Sequence, residues 1–172
     1  MDKQIQSALL QMIQHNRGDQ KRIEHSLKVH GYASLLGHME GLDRDTQSIL
    51  ELTAILHDLG IRVAENKYGF SDGKKQETEG PPVARLILEQ IGIGPAVTDR
   101  VCYIISKHHT FSAIDGIDFQ LLVEADFLVN SVEEEVSPEG IQKFTGLYFK
   151  SDSGRKLMQE LFARGSQQEI IR

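Results

Sequence analysis

The sequence predicts an all-α protein folded as one domain, and three observations carry that expectation. Apolar residues recur at three- and four-residue intervals through most of the chain. No stretch sustains the alternation that marks a half-buried strand. Residues with the chemistry of helix starts and stops fall between the periodic segments. A chain of 172 residues, 40% hydrophobic and 26% charged, has the length and composition of one soluble domain with a real core. It carries no repeat and no low-complexity tract, so the whole span 1–172 is read as one helical bundle.

Ile5, Leu9, Met12 and Ile13 form the first apolar stripe, and Gly18 can end that helix. Asp19 can cap the second, which runs through Ile23 and Leu27 to Leu35 and Leu36. Asp43 can cap the third, with Ile49, Leu52, Leu56 and Leu59 on one side and Gly60 as its stop. The polar stretch 61–80, "IRVAENKYGFSDGKKQETEG", breaks the pattern and is expected to be a long loop. Helix resumes after it, with Pro81 or Pro82 in a first turn and Gly92 as the stop. Pro95 opens the next helix, on which Val97, Val101, Ile104, Ile105 and His108 share a face. Residues 118–132, "DFQLLVEADFLVNSV", are the most apolar segment and are expected to form the central helix. Ser137-Pro138 starts another helix, and 153–164 reads as the last.

The net charge of −6, from 19 basic and 25 acidic residues, argues against a surface for nucleic-acid polymers. One cysteine, Cys102, cannot make an internal disulfide and points to a reducing cytoplasm. It lies in the apolar "VCYIIS" and reads as a buried thiol, not a nucleophile. The N-terminus lacks the apolar centre of a signal peptide, and no segment approaches the roughly 20 apolar residues of a membrane span. "GIGPAV" lacks the Lys-Ser/Thr of a phosphate loop. His15, His30 and His38 read as surface or packing residues, and Glu133, Glu134 and Glu135 as a solvated helix end.

Two ionisable residues at the end of an apolar run, His57-Asp58 in "AILHDLG", call for an explanation. A second segment poses the same question, since "LVEADFLVN" puts Glu124 and Asp126 inside the most apolar helix. Burying an unpaired carboxylate is costly, so each needs a cation, hydrogen bonds or a shifted pKa. Asp126 alone could pair with Lys107 or Arg100. One cation shared between the two segments would satisfy both, and His25 in "RIEHSLKVH" supplies a further imidazole. Two histidines and two aspartates suit a first-row ion such as Mn, Fe, Co, Ni or Zn and suit Ca poorly. Adjacent residues on a helix point about 100° apart. His57 and Asp58 can therefore flank one ion only at a helix end or with the ion lying beside the backbone.

The segments "RIEHSLKVHGYASLL", "LTAILHDLG" and "LLVEADFLVN" resemble the HD-domain superfamily of metal-dependent phosphohydrolases, and "KKQETEGPPVA" and "EADFLVN" resemble a bacterial subgroup of predicted HD hydrolases. The resemblance covers about residues 20–130. It implies a helical bundle of the HD-domain type, with one divalent metal held by His25, His57, Asp58 and Asp126. Many members bind a second metal through two more histidines. Here Gln76 stands at the first of those positions, with Glu77 and Glu79 nearby as candidate oxygen ligands. His108 in "ISKHH" matches the second, and His109 adjoins it.

The expected chemistry is hydrolysis of a phosphoester or phosphoanhydride in a nucleotide or another small phosphorylated metabolite, by metal-activated water. Magnesium could also support activity. Lys107 beside His108 offers positive charge, and His108 can carry a proton to the leaving group. Arg22, one turn before His25, and Lys74 and Lys75 are candidate phosphate-binding residues. A non-catalytic module that binds metal or nucleotide is the alternative. Iron-dependent oxygen chemistry would want a dinuclear site, which Gln76 argues against. No polymer of nucleic acid and no membrane is expected as a partner, and homo-oligomerisation is left open.

Overall fold

A computed structural model of the chain describes residues 2–162. Its elements in order are α1 (Lys3–His15), α2 (Gln20–Met39), α3 (Arg44–Leu56), α4 (Gly60–Tyr68), α5 (Gly73–Gln90), α6 (Pro95–Ile105), a 3-10 turn (Phe111–Ala113), α7 (Ile117–Glu133), α8 (Pro138–Tyr148) and α9 (Asp152–Phe162). No strand occurs among the described residues, and the fold is all-α. No helix among them is long and apolar enough to cross a membrane.

The expected caps form. Asp19 accepts from the Arg22 backbone N–H, Asp43 from those of Asp45 and Thr46, and Ser137 from that of Gly140. Gly18 and Gly92 follow their helices with φ of +87° and +76°, the left-handed region where glycine meets no Cβ penalty.

Two hydrophobic clusters make the core. One joins Val29, Ala33 and Leu36 of α2 to Leu50 and Ala54 of α3, the buried face of α7, Phe149 and Met158. The other joins Ile5 and Met12 of α1 to Leu52, Ile55 and Leu56 of α3 and to α5 and α6. Residues Leu52 to Leu56 are wholly buried because α3 has a cluster on each side. Each large apolar side chain so buried contributes about 1.5–3 kcal/mol. The structural centre is therefore α3, while α7, the most apolar segment, belongs to one cluster. α8 buries none of its residues and is held mainly by rings, with Phe144 stacked on Phe127 at a centroid distance of 3.7 Å.

Three expectations are corrected. The stretch 61–80 is not a loop: it forms α4 and the first half of α5. Gly60 does not stop α3, which ends at Leu56, but opens α4. Pro81 and Pro82 do not start a helix; they lie within α5. The last helix spans Asp152–Phe162, and positions 163 and 164 of the expected segment lie outside the described residues.

Candidate metal centre

α3 ends at Leu56, so His57 and Asp58 occupy the tight turn that leads into α4. That turn is a helix end, one of the two placements their adjacency allows. His25 faces it from α2 and Asp126 from α7, helices that pack on one another and on α3. His108 arrives from the turn after α6. His25 Nε2 lies 3.4 Å from Asp58 Oδ2 and 3.3 Å from Asp126 Oδ1. His57 Nε2 lies 3.4 and 3.6 Å from the same two oxygens. His108 Nε2 is 3.8 Å from Asp58 Oδ1. These separations are longer than ordinary N–H···O bonds, which run about 2.7–3.2 Å. They suit atoms sharing an ion, because ligands about 2.0–2.2 Å from a metal stand about 3.0–3.5 Å from one another.

The three imidazoles are oriented alike. His57 Nδ1–H donates to the Ala54 carbonyl at 2.9 Å and His108 Nδ1–H to the Ile105 carbonyl at 2.7 Å, each three residues back on its own helix. His25 Nδ1–H donates to Glu133 Oε2 at 2.9 Å. A neutral imidazole that donates from Nδ1 presents a bare lone pair at Nε2. All three Nε2 atoms are buried and lack a hydrogen-bond partner. His57 is 1% exposed, so water does not compensate its nitrogen. Three orphaned lone pairs aimed at two carboxylates form a donor set that fits a divalent transition ion. His25, His57 and Asp58 could hold one, as could Asp58, His108 and His109, with ligand atoms in each group within 4.8 Å of one another. Asp126 adds Oδ1, which Asn130 Nδ2 steadies at 2.9 Å.

Charge links the two carboxylates to the imidazoles that face them. Burial pushes the carboxyls of Asp58 and Asp126 up. The facing histidines overcome it and hold both well below the usual carboxylate range. Burial likewise pulls His25 and His57 down, and the two aspartates reverse this, most strongly at His57.

The remaining candidates divide. Gln76 and His109 do meet: His109 Nε2–H donates to Gln76 Oε1 at 2.6 Å, leaving Nδ1 as the free ring nitrogen. Burial, then His108, depresses the His109 pKa to about 4. Glu77 is buried and accepts from Thr110 Oγ1 at 2.7 Å. Glu79 is instead taken up by Lys67 and the Tyr68 hydroxyl. Lys74 is exposed and reaches Glu77 at 3.5 Å. Lys75 pairs with Asp72 at 2.5 Å and lies over the Phe70 ring. Arg22 binds Asp19 and Glu65, at 3.1 and 2.5 Å. Lys107 is half-buried beside His108, with no side-chain partner among the described residues. Arg100 serves Asp115 and Asp118, not Asp126.

Glu133 overturns an expectation. It is not part of a solvated helix end but the acceptor for His25 Nδ1–H and for Lys28 Nζ. The signal was present in the spacing, since Asp126, Asn130 and Glu133 fall at i, i+4 and i+7 on one face of α7. The run of three glutamates obscured it.

The site accords with the comparisons. One solved structure, a predicted HD superfamily hydrolase from an uncultured Thermotogales bacterium, superposes with a TM-score of 0.67. That likeness covers 92% of this chain and 84% of the other at 20% identity, which establishes a shared fold. No curated protein matches the chain. The family model of the HD domain matches residues 22–143, a span that holds all the clustered histidines and aspartates, and the chain belongs to the HD domain family.

Proposed function

We propose that this protein is a metal-dependent phosphohydrolase acting on a nucleotide or another small phosphorylated metabolite. The observation that carries this reading is the convergence of three buried, unpartnered Nε2 atoms on the Asp58 and Asp126 carboxylates. His25, His57, Asp58 and Asp126 would hold the ion, of the Mn, Fe, Co, Ni or Zn type. When bound, such an ion supplies an acidified water and countercharge for phosphoryl oxygens.

The residues around it divide the remaining work. His108, whose Nδ1–H is held by the Ile105 carbonyl so that Nε2 faces Asp58, would accept the proton of the attacking water at Nε2. As an imidazolium it then delivers that proton to the departing oxygen. Lys107 offers an uncommitted ammonium to the phosphoryl group, and Lys74 an exposed one. Arg22 and Lys75 are held by carboxylates, Arg22 tying α2 to α4 and Lys75 bracing the start of α5, before any phosphate.

Bound metal per chain and hydrolysis of nucleoside mono-, di- and triphosphates with added Mn, Co, Ni or Mg test this together. The expected result is about one tightly held ion per chain, with both metal and turnover lost in His57→Ala and Asp58→Ala. Full metal content and full activity in both variants would remove the assignment. The presence of Gln76 favours a second reading, a module that binds metal or nucleotide without turnover. Its mark would be parent-level metal content with no hydrolysis anywhere in the panel.

A further inference from the structure

We infer that Glu133 is a positioning residue for the metal ligand His25, fixing which ring nitrogen carries the proton and strengthening the other as a donor. The inference rests on the proposed metal centre and extends it to a residue outside the ligand set. Glu133 Oε2 accepts from His25 Nδ1 at 2.9 Å, and its other oxygen accepts from Lys28 Nζ at 2.8 Å. The same carboxylate thus spans His25 and Lys28, one turn apart on α2. The ligand-bearing face of α7 carries Asp126, then Asn130 holding Asp126, then Glu133 holding His25.

Two features argue that the carboxylate serves the imidazole. His57 and His108 rest their Nδ1–H groups on neutral backbone carbonyls, whereas His25 rests on an anion. A charged acceptor gives a shorter, stronger bond and makes the opposite nitrogen more basic toward a metal. Glu133 is also the last residue of α7. A negative charge at a helix C-terminus opposes the helix dipole, so the helix itself does not favour glutamate there. The Lys28 pair does not account for it either. Lys28 is 51% exposed, and ion pairs at the surface contribute little to stability.

Metal affinity separates this role from a simple tie between two helices. Zinc and manganese would be titrated into metal-free parent, Glu133→Gln, Glu133→Ala and Lys28→Met in competition with a chromogenic chelator. Thermal midpoints would be measured without metal. Glu133→Ala is expected to weaken binding roughly 10- to 100-fold, the usual cost of removing a ligand's hydrogen-bond partner. Glu133→Gln keeps an acceptor, so it should fold with a metal-free midpoint near the parent's and still lose about tenfold. Lys28→Met leaves the His25 bond intact and should stay within about threefold of the parent. Histidine 15N spectra of the metal-free parent, recorded at a pH high enough to leave the ring neutral, should place the His25 proton at Nδ1.

Parent-level affinity in Glu133→Gln and Glu133→Ala would overturn the inference while leaving the metal centre standing. A loss in Lys28→Met as large as in Glu133→Gln would reduce Glu133 to an interhelix tie and overturn it too. A parent chain that binds neither metal would fail the proposed centre itself, and this inference with it.

Discussion

Glu124 and Asp126 stand two residues apart on α7, and both are carboxylates buried in an apolar segment. Their surroundings separate them. Glu124 is wholly buried and fully served: its oxygens accept from Gln120 Nε2, the Lys150 and Ser151 backbone N–H groups and the Ser151 hydroxyl. It pins the connection between α8 and α9. Asp126 has one neutral donor, Asn130, and otherwise faces imidazoles. The sequence shows that each carboxylate needs compensation, but not which kind. Three of Glu124's four donors come from 26 and 27 residues downstream, beyond any local pattern. The roles predict different losses. Glu124→Ala strands the backbone N–H of Ser151, which is buried, and that of Lys150, and should cost about 2–4 kcal/mol in urea unfolding, with metal content unchanged. Asp126→Ala should lose metal. If Glu124→Ala stripped the metal from a folded chain, the division between the two carboxylates would be wrong.

At the scale of elements, the ligand-bearing helices were legible and α4 and α5 were not, for one physical reason. α2, α3 and α7 meet the core with leucine, isoleucine, valine and phenylalanine, which print a helical period. α4 buries only Gly60 and Ala64, and the first half of α5 only Glu77 and Gly80. Their shared face closes by nearness of backbone, and hydrophobic periodicity does not register glycine. A Cβ on Gly60 would stand 2.7 Å from both the Gln76 carbonyl oxygen and the Gly80 nitrogen. One on Gly80 would stand 2.8 Å from Ile105. The two prolines mislead in the same way, since Pro81 and Pro82 read as a helix start yet are carried inside α5. Gly60→Ala should therefore destabilise the chain by about 1–3 kcal/mol, because backbone cannot move aside as a flexible side chain can. It should also weaken metal binding, as Asp58 lies two residues away. Gly31→Ala is the control: exposed on α2 with open space where its Cβ would go, it should gain about 0.4–1 kcal/mol. Equal effects at the two glycines, read from denaturation midpoints, would show that the close approach does not hold α4 to α5.

For the molecule as a whole, α2, α3, α6 and α7 bring two carboxylates and three imidazoles to one buried point, so protons and metal compete for it. Asp58 and Asp126 have folded pKa values below their unfolded ones, and their stabilisation is present above about pH 4 and lost as pH falls below it. His25 and His57 have folded values above their unfolded ones. Their stabilisation is full below about pH 6.5 and disappears as pH rises through the folded values. The metal-free chain should thus be most stable between about pH 4 and 6.5 and weaken toward pH 8. Metal acts in the opposite sense, because it binds the deprotonated Nε2 atoms that protons occupy in acid. At a free ion concentration of about 100 Kd it should add about 2.7 kcal/mol at neutral to mildly basic pH, or about 5–10 °C in a chain of this length. That increment should shrink steadily toward pH 5. Thermal midpoints from pH 4 to 9, with chelator and with saturating metal, would trace two curves that diverge with rising pH. A constant gap between them, or metal-free stability that keeps rising to pH 8, would mean that the imidazoles do not give up their protons to the ion.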